Sequence, residues 1–168
     1  MRQTMRTARH DPVLGLDAYC LRGLERPFPS YFHGHYVIGV VERGTRTLTC
    51  GRRREAIGPG DVLLLNPGDS HGCVREVGAL DYRGLNISRD TMMSLAEEIT
   101  GRRILPDFTR PVVRDRELAR RLRDLHRAVL EGGSPLRLEE ALVLAFGRLL
   151  PDYAGQAETA ACRAEVAR

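Results

Sequence analysis

Three histidines carry the most chemistry in this 168-residue chain. His33 and His35 flank a single glycine, and His71 closes the segment Asn66-Pro67-Gly68-Asp69-Ser70-His71. On a β-strand, residues two apart point to the same face, so His33 and His35 present their imidazoles together. His71 follows a tight turn and starts a further strand-like run. Three imidazoles converging inside a small barrel would make a metal site or a polar ligand pocket. Neutral imidazole suits Zn, Ni, Fe or Cu, and three of them with an open fourth position form a catalytic or sensing geometry. A divalent transition metal on His33, His35 and His71, Zn or Ni first, is the cofactor these residues put forward. Cys73, two residues beyond His71, shares its strand face. Glu42 lies at odd spacing from His35 and faces the other way.

Other reaction chemistry finds little support. Asp61 and Asp69 lie in turns, where aspartate is usually structural. Asp81 and Tyr82 flank a strand, with one of them a candidate for the pocket. There is no Gly-x-Ser-x-Gly elbow, P-loop or Gly-x-Gly-x-x-Gly, so hydrolase, nucleotide and dinucleotide readings fail. No residue is assigned a catalytic role. Tyr31, Tyr36, Cys73 and Tyr82 join the histidines as pocket candidates, and their aromatic and polar groups suit a small organic ligand. His10, in the N-terminal arm, and His126, beside an apolar helical stripe, read as structural.

The elements that must position these residues follow from patterning. The length fits one domain with a real core. No apolar stretch is long enough to span a membrane, and no apolar run follows the basic N-terminus; a cytoplasmic protein with no membrane partner is expected. Net charge is +4, and all 26 cationic side chains are arginine. They are scattered, which describes a solvated surface better than a DNA-binding stripe. Cys20, Cys50, Cys73 and Cys162 show no CxxC pairing and read as free thiols.

Residues 1–12 read as a flexible arm. From 13 to 88 the pattern is all-β: apolar stretches at 36–41, 45–50, 55–57, 62–65 and 80–87 are separated by glycine- and proline-bearing turns. Turns at this density suggest a barrel or sandwich. The stretches at 36–41 and 62–65 are apolar on both faces and suit strands enclosed on two sides. After Ser88 the period becomes helical. A short helix is expected over 91–100, ended by Gly101. A strong helix follows over 115–130, whose stripe Leu118, Leu122, Leu125 and Val129 is a dimerisation candidate, with core packing as the alternative. A second, more apolar helix over 136–150 carries Ser134 as N-cap and is stopped by Pro151. The expected fold is therefore mainly β: a barrel, then an antiparallel helix pair.

The stretch from Phe32 to Ser88 resembles the cupin barrel, a double-stranded β-helix or jelly roll. In detail it is similar to the N-terminal effector-binding domain of AraC-type transcription regulators. The residues that carry the likeness are His33-Gly34-His35-Tyr36-Val37-Ile38-Gly39-Val40-Val41-Glu42-Arg43-Gly44, then residues 58–71, then Tyr82-Arg83-Gly84-Leu85. The resemblance implies a small-molecule effector inside the barrel (13–88) and a helical dimerisation region (89–151) that makes a homodimer. It implies a linker with the start of a missing DNA-binding domain at 152–168. Effector binding would repack the arm and the helix pair and re-space two helix-turn-helix modules, so DNA would be a partner only through that missing part. One departure stands out. Metal-binding cupin enzymes place a glutamate four or five residues after the second histidine, where this chain has Gly39 and Val40. The competing reading is a stand-alone metal-dependent cupin enzyme, of oxygenase or isomerase type, acting on a small organic substrate.

Overall fold

The computed structural model describes residues 5–25, 31–32, 34–73 and 78–155. Nine strands come first: β1 (Met5–Asp11), β2 (Leu16–Leu24), β3 (Tyr31–Phe32), β4 (Tyr36–Arg43), β5 (Arg46–Cys50), β6 (Arg53–Ile57), β7 (Val62–Leu65), β8 (Ser70–Cys73) and β9 (Leu80–Ile87). Helix α1 (Arg89–Thr100), strands β10 (Asp107–Phe108) and β11 (Val112–Val113), helices α2 (Arg116–Glu131) and α3 (Pro135–Tyr153), and strand β12 (Ala154–Gly155) follow. A six-stranded sheet runs β1-β2-β9-β4-β7-β11 and a four-stranded sheet runs β3-β8-β5-β6, while β10 pairs with β12. The recorded strand pairings are antiparallel.

The central strands of the large sheet are buried on both faces, and residue parity decides which layer each side chain enters. Tyr19 and Leu21 of β2, Val41 of β4, Leu63 of β7, Tyr82 of β9 and Val112 of β11 turn inward, packing with Leu48, Ile57 and Cys73 of the small sheet. Their neighbours of opposite parity turn outward into a second core. Leu16, Ala18, Tyr36, Ile38, Val40, Val62, Leu64, Leu85, Ile87 and Val113 meet all three helices there. The enclosure expected for 36–41 and 62–65 thus has a barrel interior on one side and a helical layer on the other.

The turn before β8 shows how local chemistry sets the register. Gly68 adopts φ of +83°, open to glycine at no steric cost. The Asp69 carboxylate accepts from the backbone N–H of Asn66 (3.1 Å) and its side-chain amide (3.0 Å). Asn66 in turn exchanges two hydrogen bonds with the backbone of Phe108, at 2.8 and 2.9 Å. The aspartate is structural, as its turn position suggested.

Three expectations need correcting. The arm expected over 1–12 is a strand from Met5 to Asp11, paired along its whole length with β2. Its helix-side face touches α2, where the Arg9 guanidinium donates to the Leu130 carbonyl. The sheet also recruits β11 from the region assigned to helical dimerisation (89–151), so the barrel is not confined to 13–88. Second, Pro151 sits inside α3, which runs on to Tyr153. Proline's fixed φ suits a helix, and so near the helix end it removes only the bond to the Gly147 carbonyl. Third, Leu118, Leu122, Leu125 and Val129 are at most 2% exposed in the single chain. They face the sheet, so the stripe is core packing and offers no dimer surface. The exposed apolar residues of the helical layer are instead Leu136, Val143 and Leu144 on α3.

The helix pair is fastened at its crossing by Asp115. Its carboxylate caps α2 through Leu118 N–H (3.0 Å) and accepts from Arg148 Nε (2.9 Å) and the Tyr153 hydroxyl (2.6 Å), both on α3. Burial pushes this carboxyl up. The Arg148, Leu118 and Tyr153 hydrogen bonds outweigh it and hold the group at about 2.

Candidate functional site

Between the two sheets lies a cavity of about 320 Å³. Aliphatic side chains from both sheets make most of its wall, among them Val37, Leu48, Ile57, Leu63, Leu65 and Leu80. His71, Cys73, Tyr19, Tyr82, Asn86 and Arg6 supply its polar groups.

The floor is built from two tyrosines lying on two glycines. Gly39 of β4 and Gly84 of β9 are directly opposite in the ladder. A side-chain carbon at Gly84 would collide with the Tyr19 ring, and one at Gly39 with the Tyr82 ring and the Arg83 carbonyl. Only glycine lets both rings lie against the sheet. The rings meet at 6.0 Å between centroids, tilted by 50°, a geometry aromatic pairs favour. Tyr82 therefore fills the space over Gly39, the position where metal-binding cupin enzymes would carry a glutamate.

His71 stands on β8, opposite Cys50 on one side and Tyr31 on the other. Its Nδ1 lies 3.3 Å from the Asp69 carbonyl. Burial lowers its pKa below 6.5, Asp69 pushes the other way, and nearby His35 lowers it further. The ring is thus neutral near pH 7 and available as a ligand. Burial, reinforced by Asp69 and opposed by Arg53, lifts the Cys50 thiol to about 11, so it is no nucleophile.

The sequence-based site divides accordingly. His71, Cys73 and Tyr82 line one cavity, and His35 is an electrostatic neighbour of His71. Tyr36 does not join them. The parity that sends Val37 inward sends Tyr36 to the helical side, where its hydroxyl donates to the Pro106 carbonyl (2.6 Å) and its ring packs edge-on against Phe108. His33 and the Tyr31 side chain lie outside the described residues, and with His33 goes the three-histidine set. Among the described residues, no three His, Cys, Asp or Glu side chains converge to hold a metal ion. Tyr19, Asn86 and Arg6 were missed. Glycines interrupting two apolar strands were the available signal for the tyrosine floor; Arg6 was hidden in a segment read as an arm.

The floor also connects outward. Tyr19 places its ring in the cavity while its carbonyl accepts from Nε2 of His126 on α2, at 2.6 Å. Beside it, Glu42 of β4 accepts from Arg123 of α2 (2.8 Å) and pairs with Arg83 of β9 (3.0 Å). Polar contacts thus cross from the sheet that floors the cavity into the helical layer.

The model of the AraC-like ligand binding domain matches residues 15–146, from β2 to the middle of α3. The chain belongs to that family. An uncharacterized HTH-type transcriptional regulator, YbfI, from Bacillus subtilis (strain 168) is 40% identical over 154 residues. The match takes in 91% of this chain and 56% of that protein, so the chain spans about half the length of its relative. Similar solved structures include KdgF from Halomonas sp., at 22% identity over 54% of this chain and 91% of the other, with a TM-score of 0.43. A cupin 2 conserved barrel domain protein from Rhodopseudomonas palustris shares 17% identity over 56% of this chain and 73% of its own, with a TM-score of 0.45. As an AraC-like ligand binding domain, the chain is a ligand-sensing unit. No described helix is long and apolar enough to cross a membrane.

Proposed function

We propose that this AraC-like domain binds a small organic effector between its sheets and passes occupancy to the helical layer, which governs DNA binding by a helix-turn-helix region of a longer chain. One observation carries this reading: Tyr19 is both a wall of the cavity and, through its carbonyl, a hydrogen-bond partner of α2. An effector that moves the ring pulls on a residue the helix holds. A ligand that packs differently in two arrangements of that floor shifts their populations, and the helices report the shift. Homodimerisation belongs to the same reading, through the exposed α3 face carrying Leu136, Val143 and Leu144. The site acts by binding and not by turnover, in a cytoplasmic protein.

The test is to read the coding frame beyond Arg168 and to assay the encoded protein on its own promoter DNA. Two helix-turn-helix modules, with promoter affinity altered by a cavity-filling Leu63→Trp substitution, support the proposal. A stop codon close to Arg168 overturns it.

A second reading keeps one favourable observation. The neutral His71 ring beside His35 is suited to a metal. A Zn or Ni ion on His33, His35 and His71, with or without enzymatic turnover, is tested by metal analysis of the purified protein and of His71→Ala. Stoichiometric metal lost in the variant supports it.

A further inference from the structure

We infer that the ligand of this cavity is a compact hydrocarbon monocarboxylate, its body against the aliphatic wall and its carboxylate held at the mouth by Arg6; the inference rests on the effector-site reading above. The first ground is the wall. Leu48, Ile57, Leu63, Leu65, Leu80 and Val37 offer no hydrogen-bonding groups, so a polyol seated among them would leave hydroxyls buried and unpaired. A hydrocarbon body incurs no such loss. The second ground is size. About 320 Å³ is the bulk volume of roughly ten waters, which admits a branched chain or one ring with a short tail.

The third ground is charge. Among the described residues that line the cavity, Arg6 is the charged one and none carries a carboxylate. A cationic ligand would meet a like charge there, whereas an anion meets a counter-ion. Arg6 reaches the cavity because it pairs with Leu21 in the ladder and so shares that residue's inward parity. Its guanidinium sits 5.8 Å from the centroid of the Tyr19 ring, which props it over the opening. Several arginines elsewhere on the sheets and helices are engaged with carboxylates: Arg43 with Asp81, Arg83 and Arg123 with Glu42, Arg148 with Asp115. Arg6 has no such partner among the described residues and presents a fork matched to a carboxylate.

The experiment measures binding of 4-methylpentanoate and 3-phenylpropanoate, their primary amides, and xylose, by ligand-observed NMR and thermal shift. Each is run on the parent protein, Arg6→Gln and Arg6→Lys. The acids are expected to bind at least tenfold tighter than the amides. Arg6→Gln should erase that advantage, and Arg6→Lys should restore part of it. The advantage should shrink as salt is raised, because the Arg6 contact lies at the solvent-exposed mouth. Acids binding no better than amides, or an advantage that survives Arg6→Gln, overturns the inference. Xylose binding without the acids overturns the ligand class and leaves the effector-site reading standing. No binding by any probe counts against both.

Discussion

One methyl group added at Gly84 tests the layout of the cavity floor. A side-chain carbon there comes within 2.6 Å of Tyr19 Cε1, and closer to the ring's Cζ and hydroxyl, whereas ordinary contact begins at 3.4 Å. The ring has to retreat by about 1 Å, and the open direction is into the cavity. Overpacking costs about 1–3 kcal/mol in closed cores. Here the obstacle is one side chain facing empty space, so Gly84→Ala should lie near the lower end, at about 1 kcal/mol. The assay is urea unfolding of Gly84→Ala, Tyr19→Leu and the double variant. Removing the ring removes the clash, so the double variant should be more stable than the two single effects predict, by about 1 kcal/mol. Gly39→Ala is the contrast. Its added carbon meets the Arg83 carbonyl as well as Tyr82, so truncating Tyr82 should not rescue it. Additivity within about 0.5 kcal/mol for the Gly84–Tyr19 pair would refute the floor as described.

Three further outcomes are expected. His126 and His71 both titrate below 6.5, first because burial penalises the charged ring; the unfolded chain therefore takes up protons first, and their contribution is complete above pH 6.5 and lost as pH falls below it. The unfolding free energy from urea titration should drop between about pH 7.5 and pH 5.5, by at most about 1.4 kcal/mol per pH unit for each histidine, and by less in His126→Gln; equal slopes in parent and variant would remove His126 from the account. Asp115→Ala deprives α2 of its cap and strands Arg148 and Tyr153, so unfolding should cost about 2–3 kcal/mol less than in the parent, with Asp115→Asn milder; an alanine variant within about 0.5 kcal/mol of the parent contradicts the fastening role. Val143→Glu combined with Leu144→Glu should shift the protein from dimer to monomer in light scattering while leaving its unfolding nearly unchanged, and a dimer that persists excludes the α3 face.

The fold was legible where a single rule sufficed. Ser134 accepts from the first turn of its helix, as its residue type suggested. The doubly apolar stretches at 36–41 and 62–65 are enclosed on both sides. Elsewhere two rules competed. A stripe such as Leu118 to Val129 has the same spacing whether it faces a sheet or a second subunit, and only the position of the sheet decides. Met5–Asp11 is too polar to announce a strand, because it lies at a sheet edge and takes its pairing from β2. In the site, His71, Cys73 and Tyr82 were legible from chemistry and parity. Tyr36 was misplaced because it was chosen for its chemistry against its parity: it is adjacent to His35, so the two take opposite faces, and Tyr36 joins the helical-side core. Tyr19 and Arg6 were illegible because their role depends on glycines in other strands and on a neighbour across the ladder.

The division of the large sheet by parity has a consequence for how such a protein changes over generations. Residues of one parity touch whatever the barrel holds, and their immediate neighbours seat the helices. A codon change at Leu63 or Val37 can alter the shape of the chamber while Leu64 and Ile38 keep the helical layer in place. Duplicated genes built on this plan can drift toward new signals one wall residue at a time and inherit the same machinery for responding. Tyr19 and the two glycines beneath the aromatic pair are the exception. Tyr19 belongs to both layers at once through its ring and its carbonyl, and the glycines are what let the two rings lie flat, so that is where drift should be slowest.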